Sequence, residues 1–276
     1  MKQIILEILT QIFGISAASG LHYNQEQLFV IADDSNVLYE YAINDKELTK
    51  HQLYPIIEEN TAKKNKLDFE AITYHNDSYY IFGSGSKPNR EVGAVYKHSN
   101  QSVKHLNLDI LYPSIASFAN IEVDELNIEG ALFYKDDLYL FNRGNGKNNR
   151  NFIAIIQGNN IEEEFNIVLK DIKLPLLNGM QTGFSDAVLV DDKIYFTATA
   201  EGTKSTYDDG KIGGSLFGCI EPKKLKLKYT KVISNDAKIE GITLYKKDKK
   251  NLEFLLCDDP DDPKKNTTIY KLSTKK

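Results

Sequence analysis

One phrase recurs along the chain at nearly even intervals, and no other feature limits the possible folds as strongly. It reads "SAASGLHYNQEQLFVIADD" from Ser16, "LDFEAITYHNDSYYIFGSG" from Leu67 and "LNIEGALFYKDDLYLFNRG" from Leu126. Two further copies read "TGFSDAVLVDDKIYFTATA" from Thr182 and "AKIEGITLYKKDKKNLEFLLCDD" from Ala237. Matched on the acid, Ser19, Glu70, Glu129, Asp186 and Glu240 share one position, 51 to 59 residues apart. Repeats of that length, rich in β-branched and aromatic residues, belong to propellers and solenoids, whose units bury their faces only against neighbouring units.

Each copy divides into four short β-prone runs bounded by Gly, Asn, Asp or Ser, as antiparallel strands should. In the second copy these are "EAITYH", "SYYIFGS", "EVGAVYKHS" and "SVKHLNLDIL". The fifth copy is one strand short after "TTIYKLST", and the spare strand is "KQIILEIL" near Met1. Closing a ring pairs these two segments and removes an exposed edge. The expected fold is all-β: one domain over 1–276, a five-bladed β-propeller with four antiparallel strands per blade, closed by the N-terminal strand. A six-bladed ring is the alternative, its extra blade built around "LYPSIASFANIEVDE".

A net charge of −5 offers no basic excess to neutralise phosphates, so nucleic acid is not an expected partner. No apolar run approaches the roughly 20 residues of a membrane span, so no membrane partner is expected either. The opening "MKQIILEILTQIFG" has the outline of a secretion signal, but Glu7, Thr10 and Gln11 interrupt its apolar stretch. A strand and a cytoplasmic location are expected instead. Cys219 and Cys257 are the only cysteines and have no metal-ligand spacing.

If the first strand of each blade is innermost, the shared position opens it, and the second strand returns antiparallel to the same face. Glu70, Glu129, Asp186 and Glu240 should then ring one mouth of the channel, with Ser19 in the fifth place. Around them come the second-strand ends Asp33, Ser84, Arg143, Thr199 and Asp258. Carboxylates converging on an axis raise one another's pKa or require compensation. A hard cation such as calcium, an arginine, or backbone N–H groups of the next blade can each supply it. As metal ligands the candidates are Glu70, Glu129, Asp186 and Glu240.

The chain has only three arginines, Arg90, Arg143 and Arg150, and all three fall at second-strand ends or in the loops that follow. Arginine's rigid two-pronged donor suits an anionic small molecule, or it serves as counter-charge to the acid ring. Candidate substrate-binding residues at the mouth are therefore Arg143, Arg90, Asn142, Asp258, Asp33 and Ser19. Long polar loops gather there, including "GSGSKPNREVG", "NRGNGKNNRN" and "TAEGTKSTYDDGKIGG", where a rigid scaffold usually places its ligands. "DDPDDP" lacks the Gly and closing Glu of an EF-hand loop and reads as a solvated turn. The five histidines show no paired ligand spacing, and no catalytic residue stands out.

In "DFEAI", "NIEGAL", "FSDAV" and "KIEGIT" the chain resembles the SdiA-regulated and phytase-like propellers and related bacterial domains of unknown function. More distantly it is similar to the gluconolactonase and paraoxonase propellers, in which acids or Asn opening the inner strands hold a calcium ion. That resemblance implies Ca2+ as cofactor on the four shared acids. It departs from those lactonases in having five blades and an almost wholly acidic ring. Two functions are carried forward: a calcium-dependent hydrolase of a lactone, ester or phosphoester, and a non-catalytic propeller binding a small ligand or a protein partner.

Overall fold

The computed structural model describes residues 4–202, 206, 210–259 and 266–276, which form five four-stranded antiparallel sheets arranged as a five-bladed propeller. β1 (Ile4–Phe13) comes first in the chain but belongs to the last sheet. Blade 1 is β2 (Ala18–Asn24), β3 (Gln27–Ala32), β4 (Val37–Ala42) and β5 (Glu47–Gln52). Blade 2 is β6 (Phe69–His75), β7 (Ser78–Gly83), β8 (Val92–Lys97) and β9 (Ser102–Asn107). Blade 3 is β10 (Ile128–Tyr134), β11 (Asp137–Asn142), β12 (Phe152–Asn160) and β13 (Glu164–Asp171). Blade 4 is β14 (Thr182–Val190), β15 (Lys193–Glu201), β16 (Ile212–Glu221) and β17 (Lys226–Ser234). Blade 5 is β18 (Ile239–Lys247), β19 (Asn251–Asp258), β20 (Asn266–Lys275) and β1.

The expected closure is present. β1 pairs antiparallel with β20, from Ile4 opposite Thr274 to Phe13 opposite Asn266. The innermost strands β2, β6, β10, β14 and β18 pack side by side, and β18 meets β2 to complete the circle. Tight hairpins follow the inner strands: Gln25 and Glu26, and Asn76 and Asp77, take positive φ at the two-residue turns of blades 1 and 2, as type I′ hairpins demand. The segment weighed as a sixth blade is instead a helix, α1 (Leu111–Ala119), ended by Asn120 at φ 52°. Its Leu111, Tyr112, Ile115 and Ala119 enter the core between blades 2 and 3. Spacing of its apolar residues at 1, 2, 5 and 9 suits a helical face, not a strand.

Five hydrophobic clusters hold the ring, each seated between two adjacent blades. Blades therefore stabilise one another through their faces, and the axis is left to the inner strands. Those strands approach closely. A Cβ on Gly241 would fall 2.4 Å from Leu21 and 3.1 Å from Cα of Gly20. The glycine after Glu240 is thus a packing requirement at the axis.

Candidate site at the channel mouth

The shared position has a structural cause. In every blade the pairing of the first two strands slips by one residue, leaving Ser19, Glu70, Glu129, Ser185 and Glu240 out of register. A bulge frees one side chain from the ladder and re-aims it. In blade 4 the bulged residue is Ser185, so the expected place of Asp186 in the ring is corrected by one position. Phe184 is the counterpart of Ile128, Phe69 and Ile239, which puts Asp186 where the other blades carry Gly20, Ala71, Gly130 and Gly241. The Asp186 carboxylate is buried and accepts from the N–H of Ala187 at 2.7 Å and of Ile242, in the next blade, at 2.8 Å. Burial raises its pKa well above the carboxylate range, opposed by those two N–H groups.

A similar shift applies in blade 5. The residues following the aligned pairs are Asp33, Ser84, Arg143 and Asp259, each donating its N–H to the residue that precedes the inner strand, namely Ala17, Asp68, Asn127 and Lys238. Asp258 lies one position earlier, opposite Ile239. Its carboxylate turns into its own sheet, accepting from Thr268 N–H at 2.7 Å and the Tyr270 hydroxyl at 2.9 Å.

On the side of blades 3 to 5 the mouth is closed by Arg143. Its guanidinium meets Glu129 at 3.2 Å, Glu240 at 3.3 Å and Glu201 at 2.8 Å. Glu129 also accepts from the Asn127 amide at 2.7 Å, and Glu240 lies 3.4 Å from the Lys238 ammonium, which in turn meets Asp259 at 3.1 Å. Burial alone would lower the Arg143 pKa, but Glu129, Glu240 and Glu201 outweigh it and hold the group well above its ordinary value. Of the three expected compensations, arginine serves Glu129 and Glu240, and backbone N–H serves Asp186.

Glu70 is treated differently. Among the described residues it accepts no hydrogen bond and pairs with no cation within 4.0 Å. Its carboxylate stands with those of Asp33 and Asp68 so that one oxygen from each lies within 4.8 Å of the others. Burial raises the Glu70 pKa well above the carboxylate range, and Glu129, Asp68, Asp33 and Glu240 push it further. Burial likewise lifts Asp33 to about 7, against the pull of Lys66.

The two aspartates are held from behind. Asp68 Oδ2 accepts from Arg90 Nη1 at 2.7 Å and from the Ser84 hydroxyl at 2.6 Å. Arg90 is itself buried and donates to Ser86 at 2.8 Å and to the Lys63 carbonyl at 3.2 Å. Asp33 Oδ2 meets the Lys66 ammonium at 2.6 Å, whereas Asp33 Oδ1 is a buried atom without a hydrogen-bond partner. Such second contacts orient ligating carboxylates in metal sites.

The structure thus brings Asp33, Glu70, Glu129, Glu240 and Arg143 to one mouth. Arg90 reaches it only through Asp68. Ser19 donates to the Phe69 carbonyl, and Asn142 is occupied by Asn127 N–H at 2.8 Å and the Arg150 carbonyl at 3.0 Å. Arg150 pairs with Asp171 in an exposed contact at 2.8 Å. Part of the "DDPDDP" turn, and parts of the loop after Glu201, lie outside the described residues. Asp68 and Lys66 were not among the expected residues; the usable signal was their place directly before the inner strand of blade 2.

Three solved structures illustrate the fold. Glutaminyl cyclase of Myxococcus xanthus is 10% identical with a TM-score of 0.50, covering 98% of this chain and 97% of its own. Arabinanase Arb43A of Bacillus subtilis is 12% identical with a TM-score of 0.52, covering 96% of each. Xyloglucan PUL GH43B of Bacteroides ovatus is 9% identical with a TM-score of 0.55, and this chain covers 50% of it. At these identities the likeness shows the fold alone. No curated protein matches the chain. Among the described residues no helix is long and apolar enough to cross a membrane. Residues 14–274 match the profile described as "Family of unknown function (DUF6929)", and the chain belongs to that family.

Proposed function

We propose that the chain is a cation-binding propeller that takes one calcium ion at the channel mouth, between blades 1 and 2, on Asp33, Asp68 and Glu70. The observation that carries this reading is the convergence of three carboxylates within 4.8 Å, one of which has no internal partner. Oxygens bound to calcium at roughly 2.3–2.6 Å lie no more than about 4.6–5.2 Å apart, so the spacing fits. An all-oxygen donor set favours a hard cation over zinc or copper. The likeness of the blade phrase to gluconolactonase and paraoxonase propellers supports calcium in particular.

An ion there, open to a substrate, supplies Lewis acidity toward a lactone, ester or phosphoester oxygen. Binding stands ahead of hydrolysis in this reading, because Arg90 and Arg143, the expected holders of an anionic substrate, already meet internal carboxylates. The non-catalytic alternative, a propeller for a small ligand or protein, separates from the hydrolase by turnover on a lactone and ester panel.

The test is thermal unfolding of chelator-treated protein with and without calcium. Binding to the folded state raises the melting temperature in proportion to RT ln(1 + [L]/Kd). The wild type should rise and Glu70→Gln should not. Equal behaviour of the two proteins removes the proposal.

A further inference from the structure

One of these carboxylates, Asp33, already receives a cation from a connecting loop of the chain. Lys66 lies on the connector between blades 1 and 2, two residues before Asp68. Its ammonium sits 2.6 Å from Asp33 Oδ2, with only 16% of the side chain exposed. It also lies in the field of Glu70 and Asp68. The connector holding it bears no strand between Gln52 and Phe69, so this tethered charge belongs to a loop and not to the rigid ring.

We infer that Lys66 is a tethered competitor at the mouth, and that it determines which cations the site accepts. The inference rests on the reading of Asp33, Asp68 and Glu70 as a cation site. An incoming ion must share or take Asp33 from the ammonium. A monovalent ion then exchanges one positive charge for another and gains little. A divalent ion brings twice the charge to the same oxygens, and Coulomb attraction scales with that charge. Desolvation works in the same direction, since a half-buried ammonium that leaves for water recovers its hydration. Lys66 therefore weakens binding of every cation and excludes monovalent ions most.

The other cation behind the cluster has a different part. Arg90 is buried and bound to Asp68, Ser86 and the Lys63 carbonyl, so it orients Asp68. Lys66 is the more exposed of the two and hangs from a loop, which makes withdrawal feasible.

The experiment is calorimetric titration of calcium into chelator-treated wild type, Lys66→Met and Lys66→Gln, each in potassium chloride and in choline chloride at equal ionic strength. Methionine keeps the apolar stem and removes the charge. Glutamine provides a second variant if methionine disturbs folding, and circular dichroism checks both. The expected result is calcium affinity at least tenfold tighter in the variants. Potassium should weaken calcium binding to the variants and leave the wild type unchanged. Wild-type binding with equal or weaker affinity in both folded variants overturns the role of Lys66 alone. Absence of calcium binding in all three proteins overturns the cation site, and this inference with it.

Discussion

Glu70 and Glu129 occupy the same bulged position in adjacent blades, yet Arg143 meets Glu129 and no arginine meets Glu70. Two neighbouring positions account for the contrast. Blade 3 supplies Asn127 before the strand and Arg143 at the end of the next, and both donate to Glu129. Blade 2 has Asp68 and Ser84 at those positions, and they bond each other at 2.6 Å. A glutamate whose neighbours donate is a brace. One with an aspartate beside it is left, among the described residues, without an internal donor, and the proposed calcium would supply the missing positive charge.

Glu70→Gln should therefore stabilise the chelator-treated protein. The half-buried carboxylate stands among other acids, and an uncharged amide removes that repulsion. A gain of about 1 kcal/mol corresponds to a melting temperature higher by roughly 2–4 °C. Thermal unfolding in chelator measures it, and a lower melting temperature would count against an uncompensated Glu70.

Arg143→Met should destabilise the ring by about 3–5 kcal/mol, because it strands buried carboxylates. Adding Glu240→Gln to that variant should recover part of the loss, by removing one of the stranded charges. Denaturant unfolding of the single and double variants gives the coupling directly. Simple additivity would show that Arg143 does not act through Glu240.

Ser19 and Ser185 fill the two ring positions without an acid, and each hydroxyl donates to the carbonyl just before the next blade's glutamate, Phe69 and Ile239. Ile239 also accepts from the Thr199 hydroxyl at 2.9 Å. Removing a hydrogen bond from a buried group costs about 1–3 kcal/mol when nothing replaces it. Ser19→Ala should fall in that range and Ser185→Ala below it, as read from urea unfolding midpoints.

The ring, its closure by β1 and the special status of the shared position were legible because hydrophobic spacing and turn residues repeat in every blade. Two positions were misplaced by one for the same reason. Matching acid to acid put Asp186 with Glu129 and Asp258 with Arg143, whereas the apolar register, Phe184 with Ile128 and Phe69, assigns Ser185 and Asp259 instead. Periodicity marks which residues reach the axis. It does not say that Arg143 reaches across to Glu240 and Glu201 while Arg90 turns back to Asp68, since those choices depend on contacts between elements far apart in the chain.

His22 gives a pH signature. Burial lowers its pKa to about 4, and its ring stacks on Tyr74 with centroids 5.4 Å apart. A histidine depressed in the folded state leaves stability intact above the unfolded value of 6.5. Stability is then lost as pH falls from there through the folded value. Discounted for partial exposure, the loss between pH 7 and pH 5 is about 1–2 kcal/mol. His22→Gln should flatten that part of the stability profile, and an unchanged slope would assign the loss elsewhere.

The most direct test is a crystal structure of the protein grown with calcium, with anomalous scattering used to locate the ion. The account predicts one peak at the mouth, coordinated by Asp33, Asp68 and Glu70 at about 2.3–2.6 Å. Calcium found only elsewhere, or a mouth in which these carboxylates hold no ion at saturating calcium, would contradict it.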